Sequence, residues 1–240
     1  METYRALRPL AALQAGVVSR EQAVGHGLSA RSVERLVREG HWRRIAPGVF
    51  LAADLDPTFV ARCWAGVLLG RDGSCVGAHA AARLHGLVDA DPSDVTVLVP
   101  HGRKIVQRRG STFVQSTRRL SSRGAPPSTN VEDTVLDLCA TARPENVVGW
   151  VTLAVERRRT TDRRLLRALA ARGRHPQREL VESLLTDVAV GVRSPLELTY
   201  LRDVERAHGL SALVTRQLPN STHTAVRDVW YTRSWAASAT

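Results

Sequence analysis

The sequence has little of what several classes of protein need. It contains three cysteines with no CxxC pair and no Cys/His cluster, so neither a disulfide framework nor a zinc site is expected. It has no run of about 18 apolar residues and no apolar segment at its start, so we expect no membrane span, no secretory signal and a cytoplasmic location. Walker A, dinucleotide-binding and GxSxG motifs are missing as well, so the sequence indicates no cofactor.

Lysine is almost missing, and arginine supplies nearly all of the positive charge. Lys104 is the single lysine in a total of 34 lysine and arginine residues, and the formal net charge is +11. This excess favours a polyanionic partner such as DNA, RNA or an acidic protein. Alanine and valine are abundant too, which is typical of a GC-rich genome, so codon usage accounts for part of the arginine. Charge alone therefore does not select the partner.

The most informative stretch is 17–53, which predicts two short helices followed by a basic hairpin. Ser19 is a suitable N-cap for the first helix, which ends near Gly25 and Gly27. Ser29 is a second N-cap, for a helix over about 30–39. That order, with a helix over 7–16 before it, predicts a winged helix-turn-helix, in which the second helix enters the major groove of DNA.

The second predicted helix has one apolar and one basic face. Val33, Leu36 and Val37 are spaced to share the buried side. Arginines at i, i+4 and i+7 share another side, and a guanidinium can bond a guanine edge or a phosphate in two places. We expect the first residues of this helix to contact bases, and its last arginine and the wing to hold phosphates. The predicted base contacts are Arg31, Ser32 and Arg35, and the predicted phosphate contacts are Arg38, Arg43 and Arg44.

The wing is predicted as a strand over 41–45, a turn over 46–48 and a return strand over 49–51. We expect its apolar residues to anchor it to the helices; these are Trp42, Ile45, Val49 and Leu51. The alternative is that the arginines form only a solvated surface. Two capped helices, the turn length, the arginine stripe and the basic hairpin together favour DNA binding. A second basic patch over 157–167 has two interpretations that stay open, a solvated face or extra phosphate contact.

Downstream of the wing, a mixed middle domain is predicted. We expect a strand over 94–100, then a hairpin of strands 105–107 and 112–115 that turns at Arg109 and Gly110. Thr129 and Glu132 are three apart and predict a capping box. A boundary is predicted at 173–177, followed by an amphipathic helix over 178–188. The predicted domains are 1–53, 58–174 and 178–240.

Residues 10–53 resemble the N-terminal winged helix of AbiEi-type antitoxins, the DNA-binding half of type IV toxin–antitoxin systems. The segments GAHAAARLHGL (77–87), DVTVLVP (94–100) and PSTNVEDTVLDL (127–138) resemble landmarks of the second domain of that family. The resemblance implies repression of the protein's own operon through inverted repeats near its promoter. It also implies opposition to a nucleotidyltransferase-like toxin without a stable complex.

The C-terminal part is similar to another family. SPLELTYLRDVERAHGL (194–210) and VRDVWY (226–231) are similar to the opening of Vsr-like, PD-(D/E)xK-type endonuclease domains, in which Glu197 would match a helical glutamate and Asp228 a metal-binding aspartate. Phosphodiester cleavage needs convergent carboxylates around Mg²⁺ and normally a lysine. The twelve residues after Asp228 contain no Asp, Glu, Lys or His. We expect both residues to be vestigial and no metal to be bound, and an interrupted reading frame after Tyr231 would explain the ending.

Taken together, the sequence predicts an α+β protein with three parts. These are an N-terminal winged helix-turn-helix, a mixed α/β middle domain and an incomplete nuclease-like α/β segment. The predicted function is that of a DNA-binding transcriptional repressor of antitoxin type that acts on double-stranded DNA and is not an enzyme. Two alternatives stay open: a catalytically incomplete Vsr-like endonuclease protein acting on DNA, and a non-catalytic protein that neutralises a toxin directly.

Overall fold

The computed structural model describes residues 2–53, 55–103 and 105–189, with side chains described over 7–53, 55–103 and 105–186. The chain divides into two compact units, 1–195 and 196–240, and all described residues belong to the first. The candidate residues Glu197 and Asp228 and the segments 194–210 and 226–231 lie outside the described residues. None of the helices described is long and apolar enough to cross a membrane.

The N-terminal part follows the order predicted for a winged helix-turn-helix. Its elements are α1 (Glu2–Leu13), β1 (Val17–Ser19), α2 (Arg20–Gly25), α3 (Ala30–Arg38), β2 (Arg43–Ala46) and β3 (Val49–Leu51). The strands form an antiparallel sheet in the order β1-β3-β2. Strand β1 is an addition to the predicted elements. It has three residues only, and its partner β3 lies more than thirty positions along the chain, so no local pattern indicates it.

The central strand β3 is covered on both faces, because successive strand side chains point to opposite sides. Phe50 packs with Trp42 and the α1, α2 and α3 helices. Val49 and Leu51 point the other way, toward Ala61 of the next helix. Ile45 packs on this side as well, so the expectation that Ile45, Val49 and Leu51 anchor the wing to the DNA-binding helices is wrong, while that for Trp42 is confirmed. Phe50 and Trp42 anchor the wing to those helices, and the neighbouring positions join the winged helix to the rest of the unit.

The middle part is built on a mixed five-stranded sheet with helices against it. Its elements are α4 (Phe59–Gly70), β4 (Cys75–Val76), α5 (Ala78–Leu84), β5 (Val95–Pro100), β6 (Ser111–Ser116), β7 (Ser122–Arg123) and β8 (Ser128–Thr129), with strand order β6-β5-β4-β8-β7. Helix α4 packs against both sheets. Gly66 permits this close approach, since a Cβ there would lie 2.7 Å from a methyl carbon of Val97.

The predicted hairpin over 105–115 is wrong. Strand β6 pairs in parallel with β5, and 105–107 is not a strand. The Gln107 side chain donates to the Phe113 carbonyl at 2.8 Å and accepts from the Phe113 amide at 2.9 Å. A side-chain amide thus makes the two bonds to Phe113 that a neighbouring strand would make, so the backbone groups of Phe113 are satisfied without one.

The predicted capping box at Thr129 and Glu132 is also wrong. The N-cap of α6 (Val131–Thr141) is Asn130, whose side chain accepts from the amide of Asp133 at 2.7 Å. Thr129 lies in β8, and its hydroxyl is 2.7 Å from that of Thr134. Glu132 instead accepts from the Thr160 hydroxyl at 2.7 Å. Sheet pairing of the preceding residue therefore moves the cap one position along the chain.

Within the described residues, three further helices follow α6 and pack together. They are α7 (Pro144–Glu156), α8 (Asp162–Ala170) and α9 (Arg178–Ala189). Arg172, in the segment after α8, lies between Asp133 and Asp137 of α6, with nitrogen–oxygen distances of 2.7 and 2.9 Å. Arg118, which follows the C-terminal end of β6, pairs with the same two aspartates. We call these four residues the α6 ion network.

The segment 173–177, where a boundary was predicted, is in contact with α6. His175 is buried, and its Nε2 lies 2.9 Å from the Leu136 carbonyl oxygen. Its Nδ1 accepts from the amide of Gln177 at 3.2 Å. These contacts position the start of α9 against the helical layer.

Candidate nucleic-acid interface

The two helices of the motif are held by the caps that the sequence indicates. Ser19 accepts from the Gln22 amide while the Gln22 side chain accepts from the Ser19 amide, so the first helix begins in a full capping box. Ser29 accepts from the amide of Ser32 and begins α3. The turn between the helices buries Leu28, and Gly27 adopts a φ of 90° that favours glycine. The orientation of α3 is thus fixed by its own start and by the core beneath it.

The outer face of α3 carries three arginines that are available to a partner. Arg31, Arg35 and Arg38 are exposed, and they make no ion pair or side-chain hydrogen bond with any residue that the structure describes. Val33, on the opposite side of the helix, is fully buried. Because the helix is anchored by one face and its cap, the three guanidinium groups are presented together. We call Arg31, Arg35 and Arg38 the α3 stripe.

Ser32 differs from the arginines of the α3 stripe because it already has a partner. Its hydroxyl lies 2.8 Å from that of Ser29, and its amide donates to the same Ser29 oxygen at 3.1 Å. Ser32 is therefore part of the helix cap. A hydroxyl both donates and accepts, so this bond leaves it capacity for a second contact at the N-terminal end of α3.

The two wing arginines are paired with acids in the free protein. Arg43 donates to Asp56 at 2.7 Å, in the segment between β3 and α4. Arg44 donates to Glu34 of α3 at 2.7 Å. The wing therefore carries less free positive charge than the sequence indicates, while the α3 stripe carries all of its charge. The structure brings five of the six predicted contacts, all but Arg43, onto α3 or into direct contact with it.

Two residues of this surface were missed by the sequence argument. Arg20, the first residue of α2, donates to one oxygen of Glu34, and Arg44 donates to the other. Both guanidinium carbons lie 5.4 Å from the centre of the Phe50 ring. Hydrogen bonding from Arg20, together with the charge of Arg44, lowers the pKa of the Glu34 carboxyl. The sequence does show an acidic residue, Glu34, inside an arginine-rich helix. Its partners Arg20 and Arg44 lie 14 and 10 positions away, however, which is beyond any helical spacing.

The described residues offer no competing metal or thiol chemistry. No group of three or more His, Cys, Asp or Glu side chains there could hold a metal ion. Burial raises the pKa of the thiols of Cys63 and Cys139 to about 12 and of Cys75 to about 11. A reactive cysteine needs a lowered pKa and access to solvent, so these three thiols are inert.

One comparison with known proteins supports the function of a transcriptional regulator. Residues 5–53 match the family model described as "Transcriptional regulator, AbiEi antitoxin". This match covers the winged helix and supports the resemblance stated for 10–53. No curated protein matches the chain. A similar solved structure is that of the RV2827C protein from Mycobacterium tuberculosis, with a TM-score of 0.49 and 18% sequence identity over 84% of this chain and 80% of that one.

Proposed function

We propose that this protein is a sequence-specific DNA-binding repressor of the antitoxin type. The observation that carries the proposal is the α3 stripe, in which three exposed arginines without partners among the described residues lie on a capped helix of a winged helix-turn-helix. In such a motif the second helix lies in the major groove with its first residues nearest the bases. The match of 5–53 to an antitoxin transcriptional regulator family supports the same function.

The contacts divide by position along α3 and the wing. Arg31, Ser32 and Arg35 lie at or near the N-terminal half of α3 and contact base edges, where arginine can donate twice to guanine. Arg38 ends the helix and contacts the phosphate backbone. Arg43, on β2, contacts a phosphate of the neighbouring groove through the N–H groups that Asp56 leaves unused, and Arg44 beside it makes a weaker phosphate contact because Glu34 shares its charge.

The biological setting proposed is a toxin–antitoxin operon. The protein binds double-stranded DNA upstream of its own gene and represses it, and it opposes a nucleotidyltransferase-like toxin in the cytoplasm. The winged helix of 1–53 binds DNA, and the α+β part of 58–174 supports the winged helix. The segment 178–240 is an incomplete nuclease-like segment without catalytic activity. These statements rest on the family described for 5–53 and on the sequence resemblances.

The test is a comparison of two DNA duplexes at fixed salt. Fluorescence anisotropy of the full chain is measured with a labelled duplex from upstream of its own gene, and with a shuffled duplex of equal length and composition. We expect the upstream duplex to bind more tightly by about a thousandfold or more, as specific regulators do. Equal affinity for the two duplexes would contradict the proposal.

A further inference from the structure

We propose that Glu34 limits the strength with which this surface binds DNA phosphate, because its carboxylate withholds part of the charge of Arg20 and Arg44 from every duplex. The proposal rests on the DNA-binding function proposed above. It concerns two residues, Arg20 and Glu34, that the base and phosphate contacts do not include. We call Arg20, Glu34, Arg44 and Phe50 the α3 clamp.

The clamp joins three elements of the motif at one point. Glu34 projects from α3, Arg20 from the start of α2 and Arg44 from β2. Each oxygen of the carboxylate accepts from a different arginine, Oε1 from Arg20 and Oε2 from Arg44. Glu34 therefore connects β2 and α2 to α3, the helix that enters the groove.

The Phe50 ring lies beneath both guanidinium groups. Its ring is fully buried in the winged-helix core, and both arginines lie over it at the same 5.4 Å distance from the ring centre. Guanidinium groups favour such positions over an aromatic ring. Each arginine is thus held by two interactions, one ionic and one with the ring.

The charge of the clamp differs from that of the α3 stripe beside it. Two arginines and one carboxylate leave one net positive charge, and the bonds from both arginines keep Glu34 ionised at neutral pH. Arg31, Arg35 and Arg38 have no such neutralising partner among the described residues. Positive charge on this surface is therefore concentrated on the helix face that meets base edges.

This distribution lowers the share of DNA affinity that comes from phosphate contacts. Binding to random sequence depends almost wholly on the number of phosphates that cations neutralise, and each contributes about 0.9 to the slope of log affinity against log salt concentration. A carboxylate that shares the charge of Arg20 and Arg44 lowers that number on every duplex. It leaves the base contacts proposed for α3 untouched. The affinity for every duplex therefore falls, while the preference that the base contacts create stays the same.

The clamp is tested by removing the carboxylate charge with Glu34→Gln in the full chain. Anisotropy titrations over a series of salt concentrations use the shuffled duplex and the upstream duplex. On the shuffled duplex we expect tighter binding and a salt slope steeper by about 0.9 to 1.8, because one or two cations become free for phosphate. The upstream duplex should bind more tightly by a similar factor, because the released cations reach phosphate on either duplex, so the preference between the two duplexes should stay close to the wild-type value.

The matched control is Glu39→Gln, which makes the same charge change at the C-cap of α3. Among the described residues Glu39 lies 4.0 Å from the His41 ring and pairs with no arginine, so no arginine is released by this change. Its salt slope should stay at the wild-type value. A second control adds Arg20→Gln and Arg44→Gln to Glu34→Gln, which should return the slope to the wild-type value or below it.

The outcomes separate the clamp from the proposed function. An unchanged or shallower slope for Glu34→Gln, in a variant whose circular dichroism matches the wild type, would overturn the clamp. So would an equal increase in slope for Glu39→Gln. If the wild type shows no preference for its upstream duplex, the repressor proposal fails, while the slopes on the shuffled duplex still decide whether Glu34 restrains the two arginines.

Discussion

The α3 stripe and the α6 ion network use the same residue type for opposite purposes. In the stripe, Arg31, Arg35 and Arg38 are exposed and have no ion-pair partner among the described residues. In the network, the Arg172 side chain is 12% exposed and bonds two aspartates. Buried charge is stable only when it is paired, whereas exposed charge is free to bind a ligand. The environment of each arginine, and not the arginine content, therefore indicates which arginines are available to a ligand.

The largest effect is expected when the central cation of the α6 ion network is removed. Arg172→Ala leaves Asp133 and Asp137, both less than a quarter exposed, with one arginine between them. Breaking a buried ion pair from one side costs about 3 to 5 kcal/mol. We expect a loss of about 3 kcal/mol in the free energy of unfolding, measured by urea denaturation.

The control for this variant is Arg174→Ala. Arg174 is exposed and has no ion pair among the described residues, so its removal should change the free energy of unfolding by less than about 0.5 kcal/mol. Under conditions where both variants are folded, DNA affinity should stay close to the wild type. A large loss of DNA affinity in folded Arg172→Ala would show that the network also serves the interface.

The complementary experiment removes a cation from the stripe. Arg31→Ala should lower the affinity for the upstream duplex by about 1 to 3 kcal/mol and relax the preference for one base pair, since a bidentate contact to guanine is lost. Stability should hardly change, because the side chain has no partner among the described residues. Anisotropy against a set of single-base-pair variants of the duplex measures both effects.

Arg109→Ala is the matched control for the stripe. Arg109 lies in the turn before β6, is exposed and likewise has no ion pair within the described part of the chain. The same charge is removed, so any general effect of net charge on DNA binding appears in both variants. An equal loss of affinity in Arg31→Ala and Arg109→Ala would contradict a specific role for α3.

Local patterns were sufficient for the helices of the motif and insufficient for its ion pairs. Ser19 and Ser29 were found because a cap and the helix it begins are adjacent in sequence. The wing turn was found from Pro47 and Gly48 in the same way. Arg20 and Glu34 were missed because their contact depends on how two helices cross, which no spacing within one helix records.

The errors in the middle part have a shared physical cause. The hairpin prediction failed because the Gln107 side chain takes the place of a strand beside Phe113. The capping box failed because Thr129 is engaged in β8, next to β4 in the sheet. In both cases pairing with another strand decided which local alternative formed, because β6 pairs with β5 and not with 105–107, and Thr129 pairs with Ser122 of β7. Such pairings fixed the sheet order, so the parallel β5–β6 pair was beyond the reach of alternation and turn signals.

The helix caps of the two regions sharpen the comparison further. Ser29→Ala removes the cap of α3, which should cost about 1 kcal/mol of stability and also weaken binding to the upstream duplex, because the stripe is carried by that helix. Thr161→Ala removes the equivalent cap of α8 and should cost a similar amount of stability without a change in DNA affinity. Thermal unfolding and anisotropy are measured on both. Equal effects of the two variants on DNA binding would mean that general destabilisation, and not the position of α3, governs affinity.

The smallest effect is expected at Arg43, at the edge of the wing. This arginine is neither unpaired among the described residues, like those of the α3 stripe, nor largely buried, like Arg172. Arg43 is paired, but its partner Asp56 is 89% exposed, so the pair contributes about 0 to 1 kcal/mol to stability. A phosphate can therefore displace Asp56 at little cost. Arg43→Ala should weaken binding to upstream and shuffled duplexes alike and make the salt slope shallower by about 0.9.

Asp56→Asn, which frees Arg43 without removing it, should leave that slope unchanged, and this distinguishes the exchangeable pair of Arg43 from the held pair of Arg44. If Asp56→Asn steepens the slope as Glu34→Gln is expected to, then Asp56 restrains its arginine as well, and the charge of the wing is controlled at two points.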